Sequence, residues 1–168
     1  TVRVRNIGTR LDLSSSSVSQ NLNFSAESGS TISITGLTSY STSVSRTLEA
    51  IGVGSQLLIP NLTEVNGPVA GFNANQLLVN ATAGGTVRLA GLSKATGATR
   101  FVSAGTGSEL DAPELTVFEG ARTFALPGFE VTTAGTLRIP KLTDIKTADI
   151  TIGAAGTLDT SRFRSLPT

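Results

Sequence analysis

The sequence predicts an all-β protein, a right-handed parallel β-helix (β-solenoid) of about seven rungs, where a rung is one turn of the chain around the long axis. A ten-residue phrase, Gly-Ser/Thr-x-apolar-x-apolar-small-x-Leu-Ser/Thr, recurs at intervals between 21 residues (Gly8 to Gly29) and 30 residues (Gly54 to Gly84). No helical periodicity separates the copies, so the repeat consists of strands and corners. The copies start at Gly8, Gly29, Gly54, Gly84, Gly107, Ala134 and Ala155.

The phrase itself predicts one strand followed by a corner. Counting the first residue of each copy as position zero, apolar residues occupy positions three, five and eight. Positions three and five share one face of a strand because side chains alternate between faces. Position six holds Pro60, Pro113 and Pro140 in three copies, and proline donates no ladder hydrogen bond, so we expect a corner there. The position-three residues, which should stack in one column, are Leu11, Ile32, Leu57, Val87, Leu110, Leu137 and Leu158.

A second, looser apolar phrase precedes most copies and predicts at least one more strand in each rung. Leu77–Val79 and Phe129–Val131 are examples. The variation in repeat length falls between position nine and this second strand, chiefly in the inserts 66–75 and 119–128. Insertions in solenoids collect on one side, which is often the binding face. A leucine-rich repeat would need helical stretches and an asparagine ladder, and a β-sandwich would lack the repeated phrase.

Stacked rungs also predict ladders of polar residues about 4.8 Å apart. Four successive residues at position four alternate in sign: Arg88, Asp111, Arg138 and Asp159. Further opposite pairs are Glu114 with Lys141 at position seven and Glu64 with Lys94 at position ten. Such pairs stabilise neighbouring rungs by about 0.2–1 kcal/mol each. Position nine holds a row of hydroxyls that we interpret as corner caps: Ser17, Thr38, Thr63, Ser93, Thr116 and Thr143.

The composition excludes several classes of function. The net charge is +1 and basic clusters are lacking, so neither nucleic acid nor an anionic membrane is an expected partner. Without cysteine or histidine the chain cannot form a Ser-His-Asp triad or a conventional zinc site. No apolar run is long enough to cross a bilayer, so no membrane insertion is expected. We predict no metal site and no cofactor.

One form of the phrase, Gly-Ser/Thr-x-Leu-x-Leu/Ile-Pro-x-Leu-Thr, resembles the repeats of large secreted or cell-surface bacterial β-helix proteins. The copies at Gly54, Gly107 and Ala134 carry it best, and the resemblance covers nearly the whole chain. It implies an extracellular or cell-surface location and an adhesive, structural or glycan-binding role. It transfers no catalytic residue, because the repeat itself contains none.

The ends of the sequence suggest a part of something larger. The chain starts at Thr1 without methionine, and the repeat continues to both ends without a capping helix. An uncapped solenoid exposes strand edges that can stack on neighbours. We therefore expect residues 1–168 to form a single β-solenoid domain, a module of a longer chain or assembly. Its expected partners are polysaccharide or other surface proteins, and it is expected to self-associate end to end.

The repeated positions are accounted for by the core, the corners and the charge pairs. If a ligand binds at one place on the chain, we therefore expect it to bind at the two inserts. This favours a non-catalytic module for adhesion, glycan binding or surface or filament assembly. The candidate ligand-binding residues are Asn66, Phe72, Asn73, Asn75, Arg122 and Phe124.

The alternative is a polysaccharide-active β-helix enzyme, a lyase or hydrolase, or a fragment of one. A hydrolase needs two carboxylates facing one groove, and a lyase needs an acidic cluster with a basic side chain. The candidates for these roles are Asp111, Arg138 and Asp159, which share position four. Their charges are already explained by pairing along the ladder, and no tryptophan platform for sugar accompanies them.

Overall fold

The computed structural model describes residues 1–15, 21–69, 74–121, 126–159 and 161. In that part of the chain all regular secondary structure is strand, and the strands form three parallel sheets stacked as a β-solenoid, which confirms the predicted fold class. Sheet A contains β1 (Val2–Val4), β3 (Phe24–Glu27), β6 (Arg46–Ile51), β9 (Leu77–Thr82), β12 (Thr99–Ala104), β15 (Gly128–Thr132) and β18 (Asp149–Ile152). Sheet B contains β2 (Arg10–Leu13), β4 (Thr31–Ile34), β7 (Gln56–Leu58), β10 (Thr86–Arg88), β13 (Glu109–Asp111), β16 (Thr136–Arg138) and β19 (Thr157–Asp159). Sheet C contains β5 (Ser39–Ser41), β8 (Glu64–Asn66), β11 (Lys94–Gly97), β14 (Val117–Gly120) and β17 (Asp144–Lys146).

Each complete rung of the described chain passes through sheet A, then sheet B, then sheet C, and then returns to sheet A one level along the axis. Rung 1 contains β1 and β2, rung 2 contains β3 to β5, and the numbering continues to rung 7 with β18 and β19. The seven described strands of sheet A therefore enclose about six complete turns. Every strand pair is parallel, as expected when each connection runs once around the core.

The predicted apolar columns form the core. At position three Val87 pairs with Leu57 on one side and Leu110 on the other, and all three are completely buried. The buried residues at position five are Ile34, Ile59, Leu89, Ala112 and Ile139, and those at position eight are Leu37, Leu62, Leu92, Leu115 and Leu142. The intervening Pro60, Pro113 and Pro140 lie in the corner after each sheet B strand. The corner at position six is thus confirmed.

Sheet C is the part of the rung that the sequence did not reveal. Each of its strands is only three or four residues long and turns one apolar side chain inwards, so no long alternation marks it. These central residues form a further core column: Tyr40, Val65, Ala95, Phe118 and Ile145. The prediction of at least two strands per rung holds, and the complete rungs have three.

The hydroxyls of position nine cap the corner between sheets B and C. The Thr63 hydroxyl donates to the Thr38 carbonyl at 3.0 Å, and the Ser93 hydroxyl donates to the Thr63 carbonyl at 3.0 Å. Thr116 and Thr143 continue the series with bonds to Ser93 and Thr116. The hydroxyls cap the corner as predicted, and each of these four also bonds its rung to the preceding one, which the sequence had not indicated. Ser17 lies outside the described residues.

The charge ladders have the predicted register, but only some predicted pairs form. Arg88 bonds Asp111 at 3.1 Å, and Lys141 bonds Glu114 at 2.6 Å. The ion pair of Arg138 is instead with Glu109, at 3.7 Å. Long side chains reach diagonal as well as direct neighbours across a sheet, so register alone does not determine the pairs. For the same reason Lys94, although paired in register with Glu64, makes its ion pair with Glu119.

Tyr40 provides a test of how the sheet C column is buried. It is the only tyrosine; its ring is completely buried, and its hydroxyl donates to the Leu22 carbonyl at 2.8 Å. Burial raises the pKa of the Tyr40 phenol to about 12, while the charge of Arg46 lowers it slightly. The unfolded chain has a tyrosine pKa of about 10, so folding favours the neutral phenol. The neutral, buried phenol therefore adds about 2–3 kcal/mol to the free energy of unfolding. This stabilisation is fully present below pH about 10 and is lost as the pH rises through about 12.

We expect the free energy of unfolding, measured in urea at increasing alkaline pH, to fall as tyrosinate absorbance shows that the Tyr40 phenol ionises. Tyr40→Phe should remove this part of the alkaline dependence, at a cost of about 1 kcal/mol at neutral pH for the unpaired Leu22 carbonyl. An identical alkaline profile in the two proteins would show that Tyr40 is not the responsible group.

Candidate functional site

The corner between sheet C and the next sheet A strand is the irregular side of the solenoid. One residue, Ala98, connects β11 to β12, whereas residues 67–76 connect β8 to β9. The connections at 42–45 and 121–127 are intermediate in length. We call this side the insert corner. It is where the sequence placed the inserts, and it carries most of the variation in rung length.

Two arginines at the start of sheet A strands hold the insert corner in place. Arg46 donates from Nε to the Asn21 carbonyl at 2.5 Å and from Nη1 to the Ser45 carbonyl at 2.7 Å. Arg100 donates from Nη1 to the Leu126 carbonyl at 2.9 Å and pairs with Glu130 at 2.9 Å. The side chain of Arg100 is only 16% exposed and that of Glu130 is 33% exposed, so this ion pair is partly shielded from solvent. Inserts fastened in this way can present side chains in a fixed arrangement.

A cleft of about 570 Å³ opens on the insert corner beside rungs 2 and 3. Its volume lies within the range of about 300–1,000 Å³ that is typical of small-molecule sites. Its walls come from three separate parts of the chain, brought together by the stacking of rungs. The described lining residues are Asn21, Ser41, Thr42, Ser43, Asn66, Gly67 and Val69.

The floor of the cleft is a hydrogen-bonded ladder on the outer face of sheet C. Ser41, Asn66 and Thr96 occupy the same register position in three successive rungs. The Asn66 side-chain amide donates to the Ser41 hydroxyl at 3.2 Å and accepts from the Thr96 hydroxyl at 2.5 Å. The amide is therefore held from both sides.

The neighbouring turn is also internally bonded. The Thr42 hydroxyl donates to the Val44 carbonyl at 2.7 Å and accepts from the Val44 backbone N–H at 3.2 Å. The Thr42 backbone N–H donates to the Asn66 carbonyl at 2.9 Å, which fixes the turn against the next rung. The shape of this wall is therefore set before any ligand binds.

The predicted ligand-binding residues divide into three groups. Asn66 lines the cleft. Asn75 accepts a hydrogen bond from the Ser45 hydroxyl at 3.1 Å, and so fastens the end of the insert to the rung before it. The remaining predicted residues, Phe72, Asn73, Arg122 and Phe124, lie outside the described part of the chain. Sequence reasoning missed Asn21, Ser41, Thr42 and Ser43, because isolated polar residues in a serine-rich segment carry no pattern.

The catalytic candidates lie elsewhere, in one column on the outer face of sheet B. Asp111 is only 5% exposed although position four faces outwards; one oxygen accepts from Arg88, and the other is buried and has no hydrogen-bond partner among the residues that the structure describes. Arg138 pairs with Glu109, and Asp159 accepts from the Ser161 backbone N–H at 3.2 Å. Among the described residues, no group of three or more acidic side chains is placed to hold a metal ion. The column does not contribute to the cleft.

Comparison with known proteins yields no relative: the chain matches no family model, no curated protein and no solved structure. Within the described ranges, no helix is long and apolar enough to cross a membrane.

Proposed function

We propose that this chain is a non-catalytic β-helix module of an extracellular or cell-surface protein, and that it binds glycan at the cleft of the insert corner. The observation that carries the proposal is the cleft itself, lined by hydroxyl and amide groups on a scaffold of stacked rungs. Sugar hydroxyls need such mixed donors and acceptors. Adhesion and surface attachment are the roles that a glycan-binding module of this kind would serve.

Binding is favoured over turnover by the environment of Asp111. A carboxylate acting on polysaccharide must reach its substrate or a water molecule beside it. Asp111 is almost fully buried and bonded to Arg88, and the neighbouring Arg138 is directed to Glu109. The polysaccharide lyase or hydrolase remains the competing hypothesis, and measured turnover by the purified chain would support it.

A blocked cleft provides the test. Ser43 is exposed, and no hydrogen bond of its side chain occurs among the described contacts, so Ser43→Trp should fill the cleft without disturbing the fold. We expect a glycan array to identify ligands of the wild-type chain, and Ser43→Trp to weaken their binding at least about 100-fold, or about 2.7 kcal/mol.

The matched control is Thr106→Trp, an exposed position on the corner between sheets A and B. It should bind as the wild type does, and urea unfolding should show all three proteins equally folded. An array without any ligand would refute glycan binding. Ligands that bind both tryptophan variants equally well would place the site away from the cleft.

A further inference from the structure

We propose that the cleft selects an uncharged saccharide and that Thr96, which is not among the lining residues, positions the Asn66 amide that recognises it. This inference rests on the glycan-binding function proposed above and specifies the class of ligand. It depends on three observations: the charge of the lining, the hydrogen-bonding groups left unused, and the bond between Thr96 and Asn66.

The described lining contains no charged side chain. The nearby Arg46 guanidinium already donates to the carbonyls of Asn21 and Ser45. Proteins that bind uronic acids or sulfated sugars use arginine or lysine to pair with the anion, because a desolvated anion without a partner is strongly disfavoured. None of the lining residues that the structure describes carries a cation that could pair with the anion, so an acidic sugar would lose solvation without gaining a direct ion pair there.

The groups that remain available suit neutral sugar hydroxyls, which both donate and accept. After its two bonds the Asn66 amide retains one N–H and one lone pair. The Ser41 hydroxyl accepts from Asn66, and within the described part of the chain no bond uses its own proton or the side chains of Ser43 and Asn21. Val69, which is 70% exposed, adds an apolar wall against which the C–H face of a sugar ring could pack.

Thr96 acts through Asn66. It belongs to rung 4, one level beyond the cleft, and its hydroxyl donates to the Asn66 side-chain carbonyl at 2.5 Å. With Ser41 on the other side, this bond removes the rotational freedom of the amide before the ligand arrives. Preorganisation of this kind improves affinity because less side-chain entropy is lost on binding.

The first experiment uses the wild-type chain and two sets of oligosaccharides that differ only in charge, one neutral and one carrying uronic acids. We expect binding to the neutral set alone, with an affinity that changes less than about twofold between low and high salt, because no ion pair contributes. Binding to the acidic set with an affinity that falls as salt is added would overturn the inference and leave the glycan-binding function intact. If neither set binds and the glycan array is also empty, the proposed function itself fails.

The second experiment tests the positioning role. Thr96→Val removes the hydroxyl at nearly constant volume and should weaken binding of the neutral ligand about 5–10-fold. Thr96→Ser retains the hydroxyl and should restore most of the affinity, which a purely structural effect of residue 96 would not predict. Thr151→Val, at an exposed site on β18, is the matched control and should have no effect. Equal affinities of the valine and serine variants at position 96 would contradict the role given to Thr96.

Discussion

Gly85→Ala is expected to lower the free energy of unfolding by about 4 kcal/mol, which is a large fraction of the stability of a typical domain. Gly85 lies in the corner between β9 and β10, directly over the preceding rung. A Cβ atom at this position would lie 2.2 Å from the Ala50 carbonyl oxygen and 2.6 Å from the Ala50 carbonyl carbon. Both contacts are with backbone, so no side-chain rotation can relieve them.

The stack prevents the backbone from moving away. The Gly85 backbone N–H donates to the Thr82 carbonyl at 3.0 Å, and the next N–H, of Thr86, donates to the Ser55 carbonyl of the preceding rung at 2.9 Å. Lifting the corner by the distance that a methyl group needs would break these bonds, and each buried N–H left unpaired costs about 1–3 kcal/mol. The substitution therefore acts on two rungs at once.

Gly8→Ala is the control, because no heavy atom lies within 4 Å of the Cβ that it would add. Its φ of 77° imposes a backbone cost of about 1–2 kcal/mol on alanine and no steric clash. Urea unfolding of the two variants should therefore show a clearly smaller loss for Gly8→Ala. Equal losses would mean that the stack relieves the contact with Ala50 at little cost, and that contact between rungs does not determine the glycine at position 85.

The fold was predictable where the sequence alternates regularly. Val87 and Leu89 share one face of the strand, and the proline or small residue that follows marks the corner, so the register of sheet B could be derived before the structure was known. Sheet C could not be derived in this way. Its strand Lys94–Gly97 turns Ala95 inwards and Thr96 outwards, a pattern too short to distinguish from a loop.

The ion pairs could be predicted from the sequence only in part. Equal repeat positions identified which residues are neighbours, and the bond between Arg88 and Asp111 follows directly from this. Arg138 forms its ion pair with Glu109, and this pairing depends on side-chain conformation, which the strand register does not determine. The burial of Asp111 also could not be foreseen, because position four was expected to face solvent. Arg88 and Arg138 flank Asp111 in the column, and Arg88 bonds it directly.

The candidate site was predictable in location and not in composition. The variable length between sheets C and A pointed to the insert that begins at Asn66, and Asn66 is in the cleft. Its partners Asn21, Ser41 and Ser43 come from earlier rungs and have no distinctive spacing. Only the path of the chain through a third sheet brings them beside Asn66. Because the strands of sheet C could not be predicted from the sequence, most residues of the cleft could not be predicted either.

Phe129→Ala is expected to destabilise the chain by about 3–5 kcal/mol through loss of buried surface and the cavity left behind. Phe129 is completely buried and stacks on Phe101 of the adjacent rung, with ring centroids 5.8 Å apart. Phe118 reaches the same cluster from sheet C, with its centroid 4.7 Å from that of Phe129. Because the ring joins two rungs and two sheets, neighbouring side chains can close the cavity only in part.

Phe129→Leu keeps most of the apolar volume and should cost about 1.5 kcal/mol or less in the same urea unfolding experiment. If Phe129→Leu lost as much stability as Phe129→Ala, the aromatic contacts, and not the packed apolar volume, would be the source of the stability. Both variants should retain the affinity of the cleft wherever they remain folded. The cluster lies in rungs 5 and 6, whereas the cleft lies beside rungs 2 and 3, and a solenoid rung contacts only its neighbours. A parallel fall in affinity and stability would show that the cleft depends on the cooperative folding of the whole stack.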